Sequence, residues 1–159
     1  MQPNVRNSET AIRSARILIV DEEFTTRRVI RTLLLSLGVT DVHDAVDGES
    51  GLAAVSALDP DVGILDWQMA DMNGPEFVRR LRSPDTPAFS NVPIIMLTGH
   101  GERSRVVEAM RLGVHEFLVK PVSAKALQER LASVLLNPRP TVKRGAHDGP
   151  QVTGRPPIW

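Results

Sequence analysis

The feature that most constrains this chain is a fivefold alternation of short apolar runs with segments whose apolar residues recur at helical spacing. From Ile17 to Val20 the run is continuous, the pattern of a strand covered on both faces. Residues 25–37 follow, with Val29, Ile30, Leu33, Leu34 and Leu37 on one side. Gly38 then stands where a C′ glycine ends a helix. A weaker strand is expected from Asp41 to Val46, and a helix from Ser50 to Leu58 that stops at Asp59-Pro60. The third pair runs from Val62 to Leu65 and from Pro75 to Arg82, with proline early in the helix where it is tolerated. The fourth runs from Pro93 to Leu97 and from Glu102 to Leu112, closed by Gly113. The fifth runs from Glu116 to Val119 and from Ser123, a plausible N-cap, to Leu136.

Strict alternation of this kind predicts an α/β fold: one doubly wound, five-stranded parallel sheet with helices on both faces. Right-handed crossovers leave few topologies open. Ligands of such sheets bind at the carboxyl ends of the strands. Four runs end in chemistry at that edge. They are Ile17-Leu18-Ile19-Val20 before Asp21-Glu22-Glu23, Ile64-Leu65 before Asp66, Ile94-Ile95-Met96-Leu97 before Thr98, and Leu118-Val119 before Lys120-Pro121. Carboxylates crowded at one edge repel one another unless a cation sits among them.

The flanks read differently. Residues 1–15 hold no apolar run and are expected to form a flexible lead, ahead of a domain over 16–136. The tail, 137–159, packs five prolines and three glycines into 23 residues and is expected to form no packed element.

Composition removes several functions. The chain has no cysteine, which excludes disulfides and thiolate metal sites. The beginning does not resemble a signal peptide, and no stretch approaches the roughly 20 apolar residues of a membrane span, so a cytoplasmic protein is expected. Between Arg16 and Leu136 there are 13 Lys/Arg against 17 Asp/Glu, a charge of about −4. Such a surface suits nucleic acid poorly. The tail is basic, with Arg139, Lys143, Arg144 and Arg155 against Asp148, but too sparsely to reverse that. The four histidines are scattered and suit no metal site.

The ordered set Asp21-Glu22, Asp66, Thr98, Phe117 and Lys120-Pro121 resembles the receiver domain of two-component response regulators, above all its chemotaxis-type members. The resemblance covers residues 16–136. It implies the flavodoxin-like strand order 2-1-3-4-5 and a stand-alone response regulator rather than an enzyme. It also implies that Asp66 accepts a phosphoryl group from a histidine kinase or phosphotransfer protein. By the same resemblance Asp21, Glu22, Asp66 and the backbone carbonyl of Gln68 hold Mg²⁺. Lys120, aimed by a cis bond to Pro121, pairs with the phosphoryl group, and Thr98 donates to it. Thr98 and Phe117 form the switch read by a downstream protein. Gln68 and His100 flank the phosphoryl position and tune its loss. A homodimer through the last two helices and the strand between them is a further expectation.

Two features depart from the family's habit, and a third argues against a different reaction. Ala70 stands where a proline is common, which is expected to loosen the loop of Gln68. Glu22 stands where many members have a second aspartate, and its longer side chain is expected still to reach the metal. Gln68 replaces the second aspartate of phosphohydrolases with a nucleophilic aspartate, which excludes that reaction. A phosphorylation-independent binding module with the same fold remains the alternative.

Overall fold

The computed structural model describes residues 5–86, 90–99, 106–136, 141–144 and 147–150. Five parallel strands form one sheet: β1 (Arg16–Val20), β2 (Asp41–Ala45), β3 (Val62–Asp66), β4 (Ile94–Thr98) and β5 (Glu116–Val119). Their spatial order is β2-β1-β3-β4-β5, as the resemblance implies. The helices are α1 (Val5–Ser14), α2 (Phe24–Ser36), α3 (Gly48–Leu58), α4 (Gly74–Arg82), α5 (Val106–Leu112) and α6 (Ala124–Leu136).

Two apolar layers sandwich the sheet. Leu18, Val20, Leu65, Met96 and Phe117 face α3, α4 and α5, while Ile17, Ile19, Ile64, Ile95 and Leu118 face α2 and α6. Successive strand residues point to opposite faces, so one continuous apolar run feeds both layers. Burying both faces is what makes β3 and β4 apolar at every position before their polar ends. Gly38 and Gly113 take φ of +91° and +112°, the left-handed conformation that glycine adopts without strain.

The helix beginning with Gly48 is capped from two places. Asp47 accepts the Ser50 N–H at 2.8 Å and Ser50 returns the bond, a reciprocal cap. Asp71, in the loop after β3, accepts the N–H groups of Gly48 and Glu49 at 3.0 and 2.9 Å. The dipeptide Asp47-Gly48, which reads as a turn, is therefore the start of α3.

Both flanks depart from expectation. Residues 5–14 form a helix, α1, that packs on α6. Its inner stripe is Ser8, Ala11, Ile12 and Ala15, with Ile12 and Ala15 buried. That is helical spacing, but with a single large apolar side chain the stripe is too slight to mark a helix in the sequence. In the tail, β6 (Thr141–Arg144) pairs antiparallel with β7 (His147–Pro150), and β7 lies beside α5 and α4. A high density of glycine and proline is as compatible with a hairpin between turns as with coil. The expected helix from Glu102 is described only from Val106 onward. Among the described residues no helix is long and apolar enough to cross a membrane.

Candidate functional site

Strand register brings the charged residues together. Val20 pairs with Leu65, so Asp21 and Asp66, each one residue further on, come level at the carboxyl edge. Thr98 pairs with Val119, and Lys120 is the next residue. The Lys120–Pro121 peptide is cis.

Asp21 is fully buried and Asp66 is 5% exposed. Lys120 Nζ donates to Asp66 Oδ1 at 2.8 Å and stands 3.7 Å from Asp21 Oδ2, too far for a hydrogen bond. Asp21 Oδ1 accepts the Glu23 N–H at 2.8 Å, whereas Asp21 Oδ2 is buried with no hydrogen-bond partner. Two carboxylates thus share one ammonium, and one of their oxygens is left over.

The electrostatics follow from that imbalance. Burial raises the Asp66 pKa above the ordinary aspartate value, against the hydrogen bond and charge of Lys120 and the N–H groups of Trp67 and Gln68. Burial also leads at Asp21, opposed by the Glu23 N–H and reinforced by the charge of Asp66. Burial acting alone would lower Lys120. The hydrogen bond to Asp66 and the charges of Asp66 and Asp21 outweigh it and hold the ammonium above its usual range.

An unpartnered, buried carboxylate oxygen beside a second carboxylate fits a hard divalent cation, which takes oxygen ligands. Asp21 and Asp66 are the residues that could hold it. Gln68, whose carbonyl is the expected backbone ligand, is exposed two residues beyond Asp66. Glu22 does not join them. Its Oε2 accepts the Ala70 N–H at 3.0 Å, so it faces the loop after β3. Among the described residues no three acidic or histidine side chains are gathered into a metal cluster. Glu22, expected at the metal, is bonded here to the backbone N–H of position 70. The expectation of a loosened loop meets the same fact, because the residue that lacks a proline ring supplies the donor that ties the loop down.

The expected switch residues are both buried, at about 1% exposure. Thr98 Oγ1 donates to the Leu118 carbonyl at 3.4 Å, so its hydroxyl faces β5 rather than Asp66. Phe117 sits in the layer with Trp67, Phe77 and Met96. His100 lies outside the described residues. Two arginines near the site carry no signal in the sequence. Arg27 donates to the Asp21 carbonyl at 2.8 Å, and Arg130 donates from α6 to the Phe117 carbonyl at 2.9 Å.

Comparison with known proteins agrees with this geometry. Residues 17–132 match the family described as the response regulator receiver domain. The chain belongs to that family. Chemotaxis protein CheY1 of Helicobacter pylori is 38% identical over 121 residues, covering 76% of this chain and 96% of that protein. The CheY of Pseudomonas aeruginosa is 34% identical, covering 75% and 94%. Among solved structures, the chemotaxis response regulator CheY4 of Vibrio cholerae superposes with a TM-score of 0.66 at 33% identity, covering 76% of this chain and 98% of that one. This receiver is therefore of the chemotaxis type. Its helix α1 and its strands β6 and β7 lie outside the matched span.

Proposed function

We propose that this response regulator accepts a phosphoryl group on Asp66 from a phosphohistidine of a partner kinase or phosphotransfer protein. The observation that carries the reading is Asp66 itself: a carboxylate 5% exposed at the carboxyl edge, held by the Lys120 ammonium at 2.8 Å beside a second buried carboxylate. In the transfer, the P–N bond to the partner histidine breaks and a P–O bond to an Asp66 carboxylate oxygen forms. The released imidazole nitrogen takes a proton. A carboxylate is a weak nucleophile, so the protein contributes mainly position and charge.

Lys120 is already hydrogen-bonded to the oxygen that reacts or to its twin, and it gives the incoming phosphoryl oxygens a positive partner. Asp21 and Asp66 would hold Mg²⁺, which supplies the charge neutralisation that one lysine cannot give to two carboxylates and a phosphoryl group. Thr98, one strand away, would turn from the Leu118 carbonyl toward the phosphoryl group, and the space it leaves is next to Phe117. Arg130 and Ser133 hold α6 to β5 through the Phe117 carbonyl and the Glu116 carboxylate, so a change at Phe117 has a path to the surface.

A phosphodonor protein needs a surface beside Lys120. Phe24 and Val29 on α2 are 65% and 46% exposed. An apolar cleft of about 360 Å³ between α2 and the segment after β5 is lined by Val29, Ile30, Lys120, Pro121 and Val122. That face suits a partner that brings a histidine to Asp66 in the cytoplasm.

Intact-mass analysis after incubation with a small phosphodonor and Mg²⁺ tests the proposal. One added phosphoryl group, absent in Asp66→Asn, is expected. An adduct that persists in Asp66→Asn, or none with either a small donor or a phosphorylated kinase, would overturn it.

A further inference from the structure

Two residues of this chain that face each other across the site do something neither does alone. Glu22 follows the buried Asp21 in the loop after β1, and Ala70 lies four residues beyond Asp66 in the loop after β3. The Ala70 N–H donates to Glu22 Oε2 at 3.0 Å, joining the two loops that frame the phosphoacceptor. We infer that Glu22 and Ala70 form a latch that keeps the third carboxylate of the site away from a bound divalent cation, so that the cation must compete with a backbone N–H for Glu22.

The chemistry of each partner supports this. Asp21 is fully buried just after β1 and Asp66 nearly so at the end of β3, so neither carboxylate is free to swing away. Glu22 is exposed and belongs to a loop, so its carboxylate can move between two partners. A carboxylate that accepts a backbone N–H gives up part of that stabilisation when it turns to a metal ion. The site is left with two committed carboxylates and one conditional one, and affinity for a hard cation rises with the number of charged ligands. The latch also spans Gln68, since it closes a bridge from Glu22 to the residue two positions beyond it. A cation that captures Glu22 therefore frees the segment carrying the Gln68 carbonyl.

The donor is available only because position 70 has an N–H, which proline lacks. The length of the acceptor matters equally, because an aspartate at position 22 is one methylene shorter. Each change removes the latch from a different side while keeping the carboxylate at position 22. This inference rests on the reading that a divalent cation binds between Asp21 and Asp66.

Mg²⁺ titrations of the full chain, followed by calorimetry and by the amide resonance of residue 70, test it. Glu22→Asp and Ala70→Pro are each expected to tighten Mg²⁺ binding about three- to tenfold, the net worth of one solvent-exposed hydrogen bond no longer in competition. Glu22→Gln placed in the Ala70→Pro background is expected to abolish that gain. In the unmodified chain the Ala70 amide is expected to shift on saturation with Mg²⁺, as its acceptor leaves. Where Ala70→Pro disturbs the loop, Glu22→Asp decides, since it leaves the backbone untouched. Saturable binding of equal affinity in the chain and in Glu22→Asp, with an unshifted Ala70 amide, would overturn the latch. Absence of saturable binding in every protein would instead remove the cation site on which it stands.

Discussion

The two edges of the sheet handle buried charge in opposite ways. At the carboxyl edge, Asp21 and Asp66 share Lys120, and Asp21 Oδ2 is left without a hydrogen bond. Near the other edge, Arg82 is 1% exposed, yet its guanidinium donates to the carbonyls of Ser90, Val92 and Gly113 at 2.8, 2.6 and 2.8 Å. Those bonds tie the end of α4 to the entry of β4 and to the turn before β5. Gly113 lies so close that a Cβ there would fall 2.7 Å from Arg82 Nε, so the turn and the arginine fit only as a pair. One edge spends its charge on neutral acceptors that would otherwise be orphaned, which stabilises the fold. The other keeps negative charge in excess, which disfavours the fold and favours a cation. Buried charge alone does not mark a functional site; an uncompensated balance does.

The largest effect is expected at the stabilising edge. Arg82→Met removes the donor from two buried carbonyls and one half-buried one and should cost about 3–5 kcal/mol, read as a lower urea midpoint at unchanged slope. A loss below about 1 kcal/mol would mean that Arg82 is not the fastener described.

The pH dependence of stability should separate the edges next. Asp21 and Asp66 have native pKa values raised above the unfolded ones, burial being the leading cause. Between those two values the native state holds more protons than the unfolded state. Their contribution to stability therefore falls as pH rises from the ordinary aspartate value through the raised native ones. Lys120 gives the same downward slope in an alkaline window. Its raised native pKa gives a contribution that is fully present below the ordinary lysine value and lost as pH climbs through the native one. Unfolding midpoints across pH, without metal, should show the first trend in the parent chain and lose it in a variant carrying asparagine at both positions 21 and 66.

The smallest effect belongs to surface pairs, which mark neither edge. Arg80 meets Glu49 at 2.6 Å, but their side chains are 40% and 63% exposed. Glu49→Ala should change stability by about 0.5 kcal/mol or less by denaturant titration.

How far the sequence alone carries the reader differs between the same two edges. The sheet and the positions of Asp21, Asp66, Thr98 and Lys120 were legible because each follows an apolar run, whereas the strand order came only from the family resemblance. Arg82 was not legible, since an arginine at a helix end is ordinarily solvated and its three acceptors come from distant segments. The capping role of Asp71 is hidden for the same reason: it acts 23 residues away, on Gly48. Glu22 illustrates a different limit. Its place in the acidic pair was evident, but its partner depends on an amide that composition does not advertise. Helix α1 escaped notice because its inner stripe offers one large apolar side chain, Ile12, among serine and alanine, which carry little hydropathy signal.

Unfolding of the parent chain and of Asp21→Asn, each with and without Mg²⁺ at neutral pH, tests most directly whether charge at the carboxyl edge is held for binding rather than for stability. Asparagine keeps an acceptor for the Glu23 N–H and removes the uncompensated charge. The variant should be more stable than the parent without metal, by about 1–2 kcal/mol, and should gain little from Mg²⁺. The parent should gain clearly from Mg²⁺. A variant less stable than the parent without metal, and stabilised by Mg²⁺ just as much, would contradict the account.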